Sequence, residues 1–329
     1  MGHGSGGRMT QELIQRVFLP RFSNPALLAG NDFATLQAHG GQLAISTDSH
    51  IVNPLFFPGG DIGKLAICGT VNDVAMSGAI PLALTVGFIL EEGLLISDLE
   101  RIADSMQAAA AEAGVQVVAG DTKVVEKGKA DGIFINTTGV GWIPQGRVIG
   151  GEQAKPGDAV LLSGTLGDHG IAVLTARGDL GFEANIQSDV APLNHLIATV
   201  LKAAPHTHVL RDPTRGGLAT TLNEITCQSN VSIWLDEETI PVSQPVKAAC
   251  EMLGFDPLYI ANEGKVIVIV PQDEASGAIT AMKNSQYGGN AVQIGQVKGE
   301  EPGRVLLKTL IGGTRILDTL AGEILPRIC

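Results

Sequence analysis

The chain ends on Leu325-Pro326-Arg327-Ile328-Cys329, and its terminal cysteine is the residue best placed for group transfer. Pro326 keeps the approach extended, and Gly312, Gly313 and Gly322 upstream are hinge points, so a thiol at this position can travel. A thiolate is also well suited to carrying an acyl or carbamoyl group through a two-stage reaction. A plain surface cysteine at a frayed end is the competing reading. Carboxylates form the second group. Asp48 follows residues 43–47, which read as a strand; Asp73 lies in Asn72-Asp73-Val74, inside a helical stretch; Asp121 follows residues 115–119, another strand. Carboxylates at strand ends can converge on one crevice, where several of them need a divalent cation to coexist. Each one alone is as well explained as a helix cap or turn residue.

Several loops add cations, glycines and a possible base. Lys64 follows Pro58-Gly59-Gly60-Asp61-Ile62-Gly63, but this is no Walker A loop, because Pro58 replaces the first glycine and Leu65 the Ser/Thr. The Pro-Gly-Gly stretch could still offer backbone N–H groups to phosphate, with Lys64 as a point charge. His3-Gly4-Ser5-Gly6-Gly7 could wrap a phosphate chain or be a disordered start. Arg211-Asp212-Pro213-Thr214-Arg215-Gly216-Gly217 places paired charges before a helix, which suits an anion or metal site. In Asn262-Glu263-Gly264-Lys265, Glu263 could serve as a general base if desolvation raises its pKa; a surface turn with a salt bridge is the alternative. His169, in Gly167-Asp168-His169-Gly170, suits a helix cap as well as chemistry.

Alternating strands and helices must hold these residues. The first half predicts a helix over 62–77 stopped by Gly78, a buried strand over 82–90, and a helix opened by a capping box at Ser97-Asp98-Leu99-Glu100 and closed by Gly114. Strands over 115–119 and 132–140 flank an expected loop at Gly120-Asp121-Thr122-Lys123. A Gly/Gln/Pro-rich stretch at 150–156 marks the domain boundary. Beyond it come strands over 159–163, 266–270, 293–297 and 305–307, with helices over 168–177, 193–204 and 216–228. The pattern is α/β with mixed sheets, divided as 1–150, 151–315 and a mobile tail at 316–329.

Composition sets the outer limits. At 329 residues two domains are expected, and 42 glycines point to tight turns or close backbone approach. A net charge of −12 argues against nucleic acid or anionic membrane as partner, though not against a metal-bound nucleotide. Cys68, Cys227, Cys250 and Cys329 form no Cys-x-x-Cys pair, so neither a zinc site nor a disulfide framework is expected. The longest apolar run, residues 82–90, is roughly half of the ~20 residues needed to span a membrane. With no signal-peptide core, a reducing cytoplasm is the default expectation.

Taken together, Asp48, Asn72-Asp73, Gly120-Asp121-Thr122 and Asp212-Pro213-Thr214-Arg215-Gly216-Gly217 resemble the ATP/Mg²⁺ motifs of the aminoimidazole-ribonucleotide-synthetase-like superfamily. His3-Gly4-Ser5-Gly6-Gly7, Pro54-Leu55-Phe56-Phe57-Pro58-Gly59-Gly60, Asn262-Glu263-Gly264-Lys265 and terminal Pro326-Arg327-Ile328-Cys329 resemble, within it, the HypE family of carbamoyl dehydratases of [NiFe]-hydrogenase maturation. The resemblance runs over essentially the whole chain, and the terminal tetrapeptide is its most specific part.

The resemblance implies a two-domain PurM-like fold. Its N-terminal sheet would pair across a homodimer into a β-barrel, with ATP in a cleft closed by Gly4, Gly6 and Gly7. It implies that a HypF carbamoyltransferase loads a carboxamide on Cys329. ATP-dependent dehydration then gives a thiocyanate, and the cyano group passes to iron on a HypC–HypD scaffold complex. Mg²⁺ would sit on Asp48, Asp73, Asp121 and Asp212; Asn72, Thr122 and Lys64 would contact the nucleotide; Glu263 would be the base, with Lys123 orienting or relaying. Two alternatives stand beside this. One is a selenophosphate synthetase-like or thiamine-phosphate kinase-like enzyme, although the former needs a reactive cysteine near the N-terminus and the first here is Cys68. The other is a non-catalytic nucleotide-binding scaffold whose tail only docks.

Overall fold

The computed structural model describes residues 8–28, 40–178, 185–319, 325 and 327–329. Gly4, Gly6, Gly7 and Pro326 therefore lie outside the described residues. The first sheet has four strands, β1 (Gln42–His50), β2 (Ile80–Glu91), β3 (Gln116–Val125) and β4 (Ile133–Ile143), in the order β1-β4-β2-β3. Only β2 and β3 run parallel, so the sheet is mixed, and β1 and β3 are its two edges. Helix α1 (Ile62–Met76) packs on this sheet and α2 (Ile96–Ala113) packs on α1. The fit of α1 over β4 is close: a Cβ on Gly139 would lie 2.8 Å from methyls of Thr70 and Val74, and one on Gly141 would lie 2.4 Å from Val74. Nearly every α1 residue is buried, because its far end reaches into the core of the second half through Ala75 and Met76.

The second half holds a seven-stranded sheet of β5 (Ala159–Leu162), β6 (Val209–Arg211), β7 (Ser232–Asp236), β8 (Ile267–Val270), β9 (Val292–Lys298), β10 (Arg304–Lys308) and β11 (Thr314–Leu317). Its order is β11-β10-β7-β9-β5-β8-β6, antiparallel except for β7 with β10. Strands β5 and β8 are buried along their whole length, as their continuous aliphatic runs require of central strands covered on both faces. Helices α3 (Asp168–Ala176), α4 (Asn194–Ala203), α5 (Gly217–Ser229), α6 (Gln244–Leu253) and α7 (Ala275–Lys283) cover it. Among the described residues no helix is long and apolar enough to cross a membrane.

Four expectations change. β3 runs unbroken through Gly120-Asp121-Thr122-Lys123, because pairing with β2 continues through those positions. Asp48 lies within β1, which extends to His50 in register with β4. The capping box does not form: α2 begins at Ile96 with Leu95 as N-cap, which puts Glu100 two residues too deep to reach back. Glu100 instead accepts from Arg16 Nε at 3.1 Å, tying the N-terminal helical segment to α2. The left-handed Gly114 does close that helix, accepting the expected conformation at φ 71°. The strand β11 reaches Ile316 and Leu317, inside the stretch expected to be tail.

Candidate active site

Strand periodicity aims the first carboxylate. Along β1 the side chains alternate, so Ser46, Asp48 and His50 share the face toward α1 while Leu43 and Ile45 stay exposed on the other. Asp73 projects from α1 onto that face, and Ser46 Oγ donates to Asp73 Oδ2 at 2.8 Å. From the second half come Arg211 and Asp212 at the end of β6. With Ser46, Asp73, Thr214, Arg215 and Glu224 they line a cleft of about 430 Å³ between the halves. Arg211 is ion-paired to Glu224.

These carboxylates share one electrostatic field. Burial raises the pKa of Asp73; the Ser46 hydrogen bond opposes this and the Asp48 charge adds to it. Asp212 is pushed up to about 7 by burial and then by Asp73. Glu263 is raised well above the ordinary carboxylate range, first by burial and then by Asp212, Asp189, Asp48 and Asp73. Its Oε1 is buried and has no hydrogen-bond partner. A pocket that pushes protons onto its own carboxylates is short of positive charge, which is the chemistry of a site that receives a cation. Among the described residues no three His, Cys, Asp or Glu groups are gathered closely enough to hold a metal by themselves. The donor set therefore fits a hard cation such as Mg²⁺, which takes one or two carboxylates and completes its shell with phosphate oxygens and water.

The loop carrying Glu263 is fixed from below. Asp189 accepts from the backbone N–H groups of Glu263 (3.1 Å) and Gly264 (3.2 Å) and from Lys265 Nζ (2.9 Å). Lys265 thus neutralises Asp189, which keeps a lowered pKa despite burial, and leaves Glu263 uncompensated. The Asn262-Glu263-Gly264-Lys265 segment is buried throughout, contrary to the surface-turn alternative.

Other expected residues are placed differently. Asn72 is 1% exposed; its Oδ1 accepts from Leu193 N–H at 2.8 Å and its Nδ2 donates to Ala191 O at 3.0 Å. Its amide joins the two halves, with Nδ2 also donating to Glu263 O at 3.4 Å. The Pro58-Gly59-Gly60 loop does not present a phosphate cradle. Asp61 caps α1, accepting from Gly63 N–H at 2.7 Å and Lys64 N–H at 3.0 Å, and a carboxylate there repels a second anion. The glycines serve packing: a Cβ on Gly59 would lie 2.6 Å from Ser188 O. Lys64 Nζ donates to Gly59 O at 3.3 Å. Asp121 and Lys123 pair with each other on β3, at the edge of the sheet opposite β1, and Thr122 beside them is buried. Within one chain they do not join the Asp48–Glu263 cluster.

The terminal residues are docked beside the end of β1. Ile328 forms an antiparallel bridge with Val52; Ile51 N–H donates to Cys329 O at 3.2 Å and Asn53 N–H to Arg327 O at 3.1 Å. Residues 51–53 directly follow β1, so Cys329 lies beside the end of the strand that carries Asp48. Arg177 Nη2 also holds Arg327 O at 3.0 Å, Arg327 pairs with Asp131 at 2.8 Å, and Leu325 and Ile328 are buried. None of the four cysteines forms a disulfide. Cys68 is fully buried and its thiol pKa is raised by that burial, so it is no nucleophile.

Two residues were missed by the sequence reading. His50 is buried beside Asp48, with Nε2 3.3 Å from Thr137 Oγ1 and 3.7 Å from Asp48 Oδ2; its i+2 spacing from Asp48 in a strand was the available signal. Asp189 gave no local signal, because its partners lie about 75 residues away in sequence.

The family model for the AIR synthase related protein N-terminal domain matches residues 30–143, and that for the C-terminal domain matches 155–308. The carbamoyl dehydratase HypE of Cupriavidus necator is 54% identical over 100% of this chain and 94% of its own length. A crystal structure of the hydrogenase maturation protein HypE in complex with ATP superposes with a TM-score of 0.96 at 50% identity, covering 100% of this chain and 99% of the other. The chain in a HypE–HypF complex gives a TM-score of 0.83 at 51% identity, covering 95% and 100%. The chain belongs to the HypE family of carbamoyl dehydratases, within the AIR synthase related proteins.

Proposed function

We propose that this chain dehydrates an S-carboxamide carried on its own Cys329 to a thiocyanate, using ATP. The observation that carries this reading is the position of the terminal residues, bridged to residues 51–53, which directly follow the strand that carries Asp48. A carboxamide oxygen is a poor leaving group. Transfer of the γ-phosphoryl to that oxygen, with release of ADP, turns it into phosphate. The C–O bond then breaks, the two nitrogen protons are lost over the sequence, and the sulfur–carbon bond is kept, giving S–C≡N, ADP and phosphate. Asp48, Asp73 and Asp212 would share Mg²⁺ with the ATP phosphates, one or two carboxylates to an ion, and the bound cation would neutralise charge on the phosphates. Glu263, unpartnered and buried, would accept a nitrogen proton, and the closed cleft would keep water from the activated carbon.

A HypF-type carbamoyltransferase is the expected donor, supported by the relative solved with HypF. The HypC–HypD complex as acceptor rests on the family resemblance. A reducing compartment such as the cytoplasm suits a reactive thiol. Intact-protein mass spectrometry after incubation with the transferase, carbamoyl phosphate and ATP tests the reading. One carbamoyl group gained on Cys329, followed by loss of one water only with Mg-ATP, is the expected result. A loaded chain that never loses water removes the dehydratase assignment.

A homodimer accounts for Asp121. β1 and β3 are open edges of one sheet, and Leu43 and Ile45 are 63% and 69% exposed beside one of them. Twofold pairing of β1 with β3 would cover these and close the sheet into a barrel. It would bring Asp121 to the site of the other subunit, with Lys123 beside it. Asp121→Asn is then expected to weaken Mg-ATP binding by about 10- to 100-fold in titration calorimetry, without loss of the dimer in sedimentation. Unchanged affinity would take Asp121 out of the metal set.

A further inference from the structure

His169 opens α3 and is fully buried, and the catalytic scheme above makes no use of it. Its Nε2 lies 2.6 Å from Ile328 O, the carbonyl directly preceding Cys329, and its Nδ1 lies 2.8 Å from Ser188 Oγ. A carbonyl oxygen can only accept, so the proton is on Nε2 and Nδ1 accepts from the Ser188 hydroxyl. The network agrees with that direction, since Ser188 Oγ in turn accepts from Val190 N–H at 3.1 Å. The ring is also held by Phe57, edge-on at 5.5 Å between centroids. Burial lowers the His169 pKa, against the opposing pull of Asp189, which keeps the imidazole in the neutral form this arrangement needs.

What lies behind the imidazole gives it consequence. Ser188 is followed by Asp189, whose carboxylate holds the backbone of Glu263 and Gly264 and the ammonium of Lys265. Ser188 N–H donates to Pro58 O at 2.8 Å. A second route runs through α3 itself: Gly167 N–H donates to Asn262 Oδ1 at 2.8 Å and Gly170 N–H to Ala261 O at 3.1 Å. The tail is thus one side chain away from the segment that positions Glu263.

We propose that His169 is a positioning residue for the dehydration: its Nε2–H seats the carbonyl next to Cys329 in register with the Asp189-held Glu263 loop. This inference rests on the dehydratase reading. Arg177 and the Val52 bridge hold the tail at its rim; His169 is the contact that ties it to the catalytic loop.

The test uses the full chain, loaded with the carbamoyl group, as His169→Gln, His169→Leu and Ser188→Ala variants. Gln keeps an N–H donor at similar reach, Leu fills the space without one, and Ser188→Ala removes the hydroxyl that donates to Nδ1 and holds the ring in place. In His169→Leu, single-turnover loss of water should slow about tenfold or more, and alkylation of unloaded Cys329, read by peptide mass, should quicken by about the same factor. Both follow from losing one buried hydrogen bond. Mg-ATP affinity should stay within about twofold, and His169→Gln should restore both rates toward the parent values. Should His169→Leu fail to fold, Ser188→Ala carries the comparison, with water loss slowed several-fold at unchanged ATP affinity. Parent-like water loss in His169→Leu, or in Ser188→Ala where it stands in, overturns the proposal, as does failure of Gln to outperform Leu. A loaded parent chain that itself loses no water overturns the dehydratase reading and this inference with it, and that outcome is visible before any variant is compared.

Discussion

Replacing Cys329 with alanine is expected to reduce thiocyanate formation below detection while leaving Mg-ATP binding within about twofold of the parent. Removing the nucleophile of a covalent sequence costs about 10⁴-fold or more, and here the thiol also carries the substrate, so no by-pass remains. The fold should not suffer. Cys329 is only half-buried, whereas the backbone bonds of residues 327 and 329 to 51–53, the Arg177 contact and the buried Ile328 do not depend on the sulfur. Cys329→Ser separates chemistry from docking more finely, since it keeps a hydroxyl of similar size with far weaker nucleophilicity. The measurements are mass increase on loading, water loss with Mg-ATP, and co-sedimentation with the carbamoyltransferase. If alanine eliminates transferase binding but a chemically loaded parent chain never dehydrates, the tail is a docking element and the scaffold alternative takes its place.

Glu263→Gln should bind Mg-ATP normally, accept the carbamoyl group, and lose water about 10²- to 10⁴-fold more slowly, the range supplied by a positioned base. The substitution is nearly isosteric, and the backbone contacts from Asp189 to residues 263 and 264 are retained. The pH behaviour has a definite sign. In the unliganded chain Glu263 holds its proton well above the ordinary carboxylate range because of burial and the surrounding Asp212, Asp189, Asp48 and Asp73. The folded state therefore binds a proton that the unfolded state has released, and stability contributed by this group falls as pH rises from the unfolded value toward the folded one. Glu263→Gln removes that dependence, so its melting temperature should fall less than the parent's as pH rises above the ordinary carboxylate range. Cations on the aspartates cut the negative field, so Mg-ATP should lower the Glu263 pKa and free it to act as base. A Gln variant that dehydrates at the parent rate would assign the proton transfer elsewhere.

The separate parts of the site were legible for local reasons. A cysteine at the last position of the sequence needs no fold to be read as a candidate group carrier, and helix α1 was announced by helical spacing with Gly78 and Pro81 beyond it. Strands β5 and β8 declared themselves because β-branched and aliphatic runs bounded by turn residues are a local signal. Where the reading failed, a distant partner had overridden local preference. Gly120-Asp121-Thr122-Lys123 has loop composition, yet β2 supplies a full ladder of partners and draws it into β3. Glu100 had the spacing of a capping residue, yet the helix starts two residues early and Arg16 takes its carboxylate. Asn72 stands next to Asp73 in sequence, but the step of about 100° per helical residue turns it toward Ala191 and Leu193.

By itself the sequence determined the inventory: a terminal thiol, carboxylates in Asp48, Asp73, Asp121, Asp212 and Glu263, and two α/β halves to hold them. Only the tertiary structure decided which of these meet. Side-chain type and strand or helix period are local properties and can be read along the chain. The pKa of Glu263, the anchoring of its loop by Asp189 and the seat of Ile328 on His169 depend on groups brought together over 51 to 215 residues. Desolvation and charge coupling act through space, so they exist only once the two halves have closed on one another.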